Sequence, residues 1–178
     1  MTVKVLKARD LTFVNRGSFG AYSKIKRSKN GVKVFSQYRV YKKSRTVSEA
    51  LASEEFKGVT KEFKRLKKVR ATMMSLVPKP KYLAIVEVID DDGTTIYMPG
   101  YVMSHVEGKL VMNSTMTDED TAVLSRAKMV FTDKGIRQND DHTGNIIKVA
   151  NTKKPKFVFI DAGGMRFVKN NNGQCDWS

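Results

Sequence analysis

Along the first hundred residues short β-like apolar runs are separated by turn signals, and one long stretch switches to a three- and four-residue rhythm. Residues 11–14 read as a short strand that runs into Gly17-Ser18-Phe19-Gly20 and continues as a second β-like piece over 21–25. Asn30-Gly31 is a hairpin signal, because both residues tolerate positive φ, and 32–41 is rich in β-branched and aromatic residues. Three antiparallel strands are expected there. Over 47–74 apolar Phe56, Val59, Phe63, Leu66 and Val69 recur at helical spacing among many lysines, with a break expected at Gly58. Pro78 and Pro80 end that stretch; 82–89 and 95–103 then read as two strands joined by Asp90-Asp91-Asp92-Gly93. Thr117 followed by Asp118, Glu119 and Asp120 starts a helix, with a capping side chain and negative charge at the positive end of the dipole. It should run to about Thr132 and stop at Gly135. A polar loop, 138–144, then leads to a closing hairpin over 146–149 and 157–160. This order predicts an α+β fold.

With 178 residues, 40% of them hydrophobic, the chain has the size and composition of a single domain with a real core, expected in two small lobes. Its 33 Lys+Arg against 18 Asp+Glu give a net charge of +15, which favours nucleotides, nucleic acid or acidic protein surfaces as partners but names none of them. No run approaches the roughly 18 to 20 apolar residues of a membrane span, and residues 1–10 mix charge with apolar groups where a secretory segment would be apolar. A cytoplasmic protein is the expectation. Cys175 is the sequence's only cysteine, which leaves no intramolecular disulfide and no cysteine-based metal cluster, and His105 and His142 alone are too few for a structural zinc site.

The most informative stretch is Lys134-Gly135-Ile136-Arg137-Gln138-Asn139-Asp140-Asp141-His142-Thr143-Gly144-Asn145-Ile146, followed by Ile160-Asp161-Ala162-Gly163. It resembles the protein-kinase catalytic loop, in which a helix leads to an Asp, four intervening residues and an Asn, then to a hairpin ending in a metal-binding Asp. The wording Asp-x-His-x-Gly-Asn resembles most closely the small kinases of phages and bacterial effector proteins. Phosphoryl transfer needs an acceptor hydroxyl positioned and a metal held against the phosphates, with little covalent work for the protein. By this resemblance Asp140 takes the proton of the acceptor hydroxyl, while Asn145 and Asp161 hold Mg2+ against ATP. As plain loop residues these side chains would simply be solvated in turns.

Other segments fit the same family. Asn15-Arg16-Gly17-Ser18-Phe19-Gly20 resembles the glycine-rich loop with its first glycine replaced, so that Gly17, Ser18, Phe19 and Gly20 become nucleotide-binding candidates. The resemblance implies a strand lysine on the α- and β-phosphates, here Lys33 with Lys24 and Lys26 as rivals, and a helical glutamate paired with it, here Glu62 in Glu62-Phe63-Lys64-Arg65-Leu66 with Glu54 and Glu55 as rivals. Tyr101 to Gly108 resembles the hinge, with backbone groups near Ser104 and Val106 meeting adenine and Met103 closing the pocket. The implied architecture is a minimal kinase: an antiparallel-sheet N-lobe with one helix over 1–103, a hinge over 104–108 and a truncated C-lobe over 109–178.

Departures qualify the match. Gln138-Asn139 stands where most protein kinases have His-Arg, which removes the arginine that senses a phosphorylated activation loop; Ala162 replaces the usual Phe; and seventeen residues follow Asp161. The expected activity is transfer from ATP to serine or threonine of a protein substrate, with a partner protein to complete or activate the site. The alternatives are a pseudokinase acting by contact, a small-molecule phosphotransferase of the aminoglycoside or choline type, which shares the Asp, Asn and Asp, and a basic nucleic-acid-binding module. The last draws on Lys61, Lys64, Arg65, Lys67, Lys68 and Arg70 along one helix, but no aromatics are interleaved as stacking platforms.

Overall fold

The structure, a computed structural model, describes residues 3–17, 20–35, 43–140 and 142–168. It divides into two units, one of residues 1–64 and 80–105, the other of 65–79 and 106–178.

The first unit is built on six strands, β1 (Val3–Lys7), β2 (Leu11–Gly17), β3 (Gly20–Ile25), β4 (Asn30–Phe35), β5 (Pro80–Ile89) and β6 (Thr95–Ser104), in the spatial order β1-β5-β6-β4-β3-β2. All neighbours are antiparallel except β1, which runs parallel to β5 at the edge. Alternation sends successive side chains to opposite faces. One face collects Val32, Val34, Ala84, Val86 and Val102 into a buried cluster flanked by Leu6, Leu11, Ile25 and Val88. The other carries Lys33, Tyr101 and Leu83, which are cross-strand partners in register. Residues 36–41, the end of the strand expected over 32–41, lie outside the described residues.

Two local details differ from the sequence pattern. The turn between β3 and β4 is made ahead of Asn30-Gly31: Arg27 takes the positive φ of 54°, Ser28 N–H donates to Ile25 O at 3.2 Å, and Asn30-Gly31 opens the strand. The helical stretch is broken at Ser53 and runs unbroken through Gly58, giving α1 (Val47–Ala52) and α2 (Glu54–Met73). The hydroxyl of Ser53 both donates to Ala50 O (2.7 Å) and accepts from Phe56 N–H (3.1 Å), so it ends one helix and caps the next. Gly58 sits in open space on α2, where it costs propensity without forcing a bend. Between β5 and β6 the turn is the expected one, with Gly93 at φ 79°.

The second unit receives α2 from Arg65 onward and adds β7 (Gly108–Leu110), α3 (Asp118–Asp133), β8 (Ile136–Gln138), β9 (Ile146–Val149), β10 (Phe157–Phe159) and β11 (Met165–Phe167). Strands β10-β9-β7 form one small sheet and β11-β8 another. Helix α3 begins with the expected Thr117 cap, which Asp120 completes to a capping box, and Asp120, 2% exposed, is also paired with Lys148 at 2.5 Å. The Lys148 ammonium, followed by the Thr117 backbone N–H, holds the Asp120 carboxyl below its ordinary range. Gly135 at φ 66° ends the helix. The core is aromatic: Phe131 of α3 meets Phe159 of β10 edge-on at 4.7 Å, among buried Ile136, Ile146, Phe157 and Met165. Among the described residues no helix is long and apolar enough to cross a membrane.

Candidate functional site

In the first unit Lys33 Nζ lies 2.8 Å from Glu62 Oε1, and the Tyr101 hydroxyl donates to the same oxygen at 2.7 Å. The geometry follows from two periodicities. Lys33 and Tyr101 are directly opposite on β4 and β6, so both point to one face of the sheet; Val59, Glu62, Phe63 and Leu66 recur on one face of α2. Glu62 is 8% exposed on that otherwise apolar face, so its carboxylate needs the partners it has. Two of the four rivals are occupied elsewhere: Lys26 donates to Arg9 O (2.8 Å), and Glu54 pairs with Lys57 on the surface at 2.5 Å.

Beside Lys33 on the same face, Tyr22 is its partner in register on β3. The Tyr22 ring fills the space in front of Gly31, where a Cβ would come within 2.1 Å of the phenol oxygen. Its hydroxyl meets His105 Nδ1 at 2.9 Å, the ring planes differ by 13°, and burial pushes the phenol up to about 12. Gly17 and Gly20 pair across β2 and β3, and a Cβ on Gly20 would sit 2.3 Å from Val34 O, so this glycine serves close strand packing. Ser18 and Phe19 lie outside the described residues. Met103 and Ser104 end β6, with Met103 buried and facing Gly31 in register; Val106 opens the second unit.

In the second unit Asp140, Asn145 and Asp161 line one small cleft together with Gln138, Phe159, Gly164 and Met165. The pairing of β8 with β11 brings Gln138 opposite Met165, and Asn139 N–H donates to Gly164 O (2.9 Å); β9 and β10 bring Ile160 N–H onto Asn145 O (2.9 Å). A Cβ on Gly164 would lie 2.9 Å from Asp140 Cβ, so only a bare backbone allows this approach. Asn145 Nδ2 donates to the Asp140 carbonyl (3.0 Å) and to its Oδ2 (3.1 Å). Gly144 N–H donates to His142 Nδ1 (3.0 Å), which leaves the ring proton on Nε2, 3.4 Å from Asp140 Oδ1. Asp161 Oδ1 accepts Gly163 N–H at 2.8 Å, and the Arg65 guanidinium holds the Gly163 carbonyl. Gln138 Nε2 is buried without a hydrogen-bond partner among the described residues. Asp141 lies outside them.

This donor set suits magnesium. Asn145 spends its amide nitrogen on Asp140 and presents Oδ1, and Asp161 supplies a carboxylate; among the described residues no three His, Cys, Asp or Glu side chains cluster to cage a metal. A cation held by two side-chain oxygens and completed by phosphate oxygens and water is the usual magnesium arrangement. Sequence reasoning named these residues and missed four supports: Tyr101 and Arg65, whose hydrogen bonds depend on tertiary register, His142, which lies beside Asp140 within the loop itself, and the Gln138 amide, which has no partner among the described residues.

The fold is kinase-like: an α+β chain with a large, mostly antiparallel sheet and a reduced helical part. Among solved structures it is similar to the Rio2 kinase–ADP/Mg2+–phosphoaspartate complex from Chaetomium thermophilum, at 16% identity and a TM-score of 0.54 over 89% of this chain and 50% of that one. The chain thus spans about half the length of that kinase, and at this identity the likeness concerns the fold alone. No family model and no curated protein matches the sequence.

Proposed function

We propose that the protein is an ATP-dependent phosphotransferase, a minimal serine/threonine protein kinase of the kind found in phages and bacterial effectors. The observation that carries this reading is the single cleft lined by Asp140, Asn145 and Asp161. In it the acceptor hydroxyl oxygen attacks the γ-phosphorus, the bond to the β-phosphate oxygen breaks, ADP leaves, and the hydroxyl proton passes to Asp140. Asn145 aims the Asp140 carboxylate by donating to it, with His142 Nε2 3.4 Å from its other oxygen. Asn145 and Asp161 would hold Mg2+, which neutralises charge developing on the phosphates. Lys33, fixed by Glu62, would meet the α- and β-phosphates, with Gly17 to Gly20, Met103, Ser104 and Val106 as the remaining nucleotide contacts. The Rio2 neighbour's ADP and Mg2+ support the same pair of ligands here. A protein substrate, an activating partner protein and a cytoplasmic site of action go with this reading.

The test is incubation with γ-labelled ATP and Mg2+, alone and with a cell extract, comparing wild type with Asp161→Asn. Label transferred by wild type and lost in the folded variant supports the reading; label in neither reaction, with nucleotide still bound, leaves a pseudokinase.

A further inference from the structure

The second unit carries a larger concavity, of about 640 Å3, formed by β7, the segment entering α3, and the β9–β10 turn. Four lysines line it, Lys109, Lys148, Lys153 and Lys154, against one carboxylate, Asp120. That carboxylate is already spent: it accepts from Lys148 and closes the capping box of α3. Lys109 and Lys148 stand directly opposite each other on β7 and β9, an arrangement that sets their Cβ atoms about 5 Å apart and is unfavourable for like charges. Asp120 neutralises only one of them. Lys109, Lys153 and Lys154 are exposed and have no ion pair among the described residues. Asp118 and Glu119, on the first turn of α3, are not among the residues lining the groove.

The wall that presents these charges is fixed. Val149 N–H donates to Lys156 O and Ala150 N–H to Glu107 O, and Asn151 takes a left-handed φ of 56° that an asparagine tolerates, so the loop that carries Lys153 and Lys154 is tied down at its base. Asn113, Thr115 and Asn151 also line the groove and can hydrogen-bond main-chain amides and carbonyls alike. No aromatic residue lines it to stack a base, and no arginine to grip a phosphate in bidentate fashion. The lysine-rich helix α2 is a weaker candidate, since three of its cations act within the unit: Arg65 holds Gly163 O, Arg70 holds Val77 O and Lys68 lies over the Phe167 ring at 4.8 Å.

We infer that this groove docks an extended acidic peptide segment of a protein partner, its carboxylates meeting Lys109, Lys153 and Lys154. The site is separate from the cleft of Asp140, and its occupancy does not depend on phosphoryl transfer.

Fluorescence anisotropy of the whole chain with a labelled peptide of alternating glutamate and serine tests it directly. The acidic peptide binds, a glutamine–serine version does not, and binding weakens as salt rises, because exposed charges are screened over about 10 Å at 0.1 M. Combining Lys109→Glu, Lys153→Glu and Lys154→Glu weakens binding by about tenfold or more, which is roughly 1.4 kcal/mol. Circular dichroism checks the fold, and Lys153→Glu alone, on the exposed turn, gives a smaller loss in the same direction. Lys61→Glu with Lys64→Glu on α2 leaves the affinity unchanged. Wild-type affinity in the triple variant, tighter binding of oligothymidylate than of the peptide, or no binding by wild type would each overturn the assignment.

Discussion

Tyr22 and His105, 83 residues apart, are joined by a 2.9 Å hydrogen bond between the phenol oxygen and Nδ1. Burial raises the folded-state pKa of the phenol from 10.0 to about 12, so the unfolded chain releases this proton first as pH climbs. The stability contributed by the neutral phenol is therefore present below pH 10 and lost between pH 10 and about 12. Tyr22→Phe should flatten that loss. Denaturant titrations of both proteins at pH 9, 10 and 12 check it, and a difference in stability that does not change across this range would refute it.

If the proposed function holds, Asp161→Asn should lower transfer on the order of 10² to 10³-fold while the fold is retained, since it would remove the charge proposed to hold the metal without changing shape. Lys33→Met should also cut transfer strongly with secondary structure unchanged. Kinetics beside circular dichroism give the answer; normal turnover in folded Asp161→Asn would sink the phosphotransferase reading.

The Tyr101 hydroxyl shares Glu62 Oε1 with Lys33. Tyr101→Phe leaves a buried carboxylate short of one donor and should cost about 1.5–3 kcal/mol, the range for hydrogen bonds to charged groups. Urea unfolding measures this. A cost near zero would mean that water or another side chain replaces the hydroxyl.

Gln138 Nε2, beside Asp140 and Asn145, is buried with no hydrogen-bond partner among the described residues, a position that burdens the fold and so calls for a functional reason. Gln138→Leu should keep or raise the melting temperature and at the same time lower kcat/KM. Loss of stability together with unchanged activity would show that the amide serves the fold.

That Asp140, Asn145 and Asp161 share one cleft was legible because they lie on a loop and hairpin whose turn residues and apolar runs mark themselves in short spacings. Lys33 and Glu62 needed two periodicities to agree, strand and helix, and they do. What escaped depends on burial or on long-range pairing. Edge strand β1 has exposed Val5 and two lysines in five residues, and only its parallel pairing with β5 makes it a strand. Ser53 broke the helix where Gly58 was expected to, because two hydrogen bonds of one hydroxyl outweigh a propensity cost of about 1 kcal/mol. Asn30-Gly31 signalled a turn through its tolerance of positive φ, whereas Gly31 is there to make room for a ring that arrives from another strand.

That last contact makes positions 22 and 31 a single steric unit. A methyl group added at Gly31 would fall 2.1 Å from the phenol oxygen and 2.4 Å from the carbon that bears it, so it can be accommodated only if the aromatic ring swings away or shrinks. Divergence at the two positions is then coupled in one direction: sequences descended from a common ancestor with this one that carry a side chain at 31 should have a smaller residue at 22 or a ring turned out of this place, whereas a small residue at 22 leaves glycine at 31 free to stay.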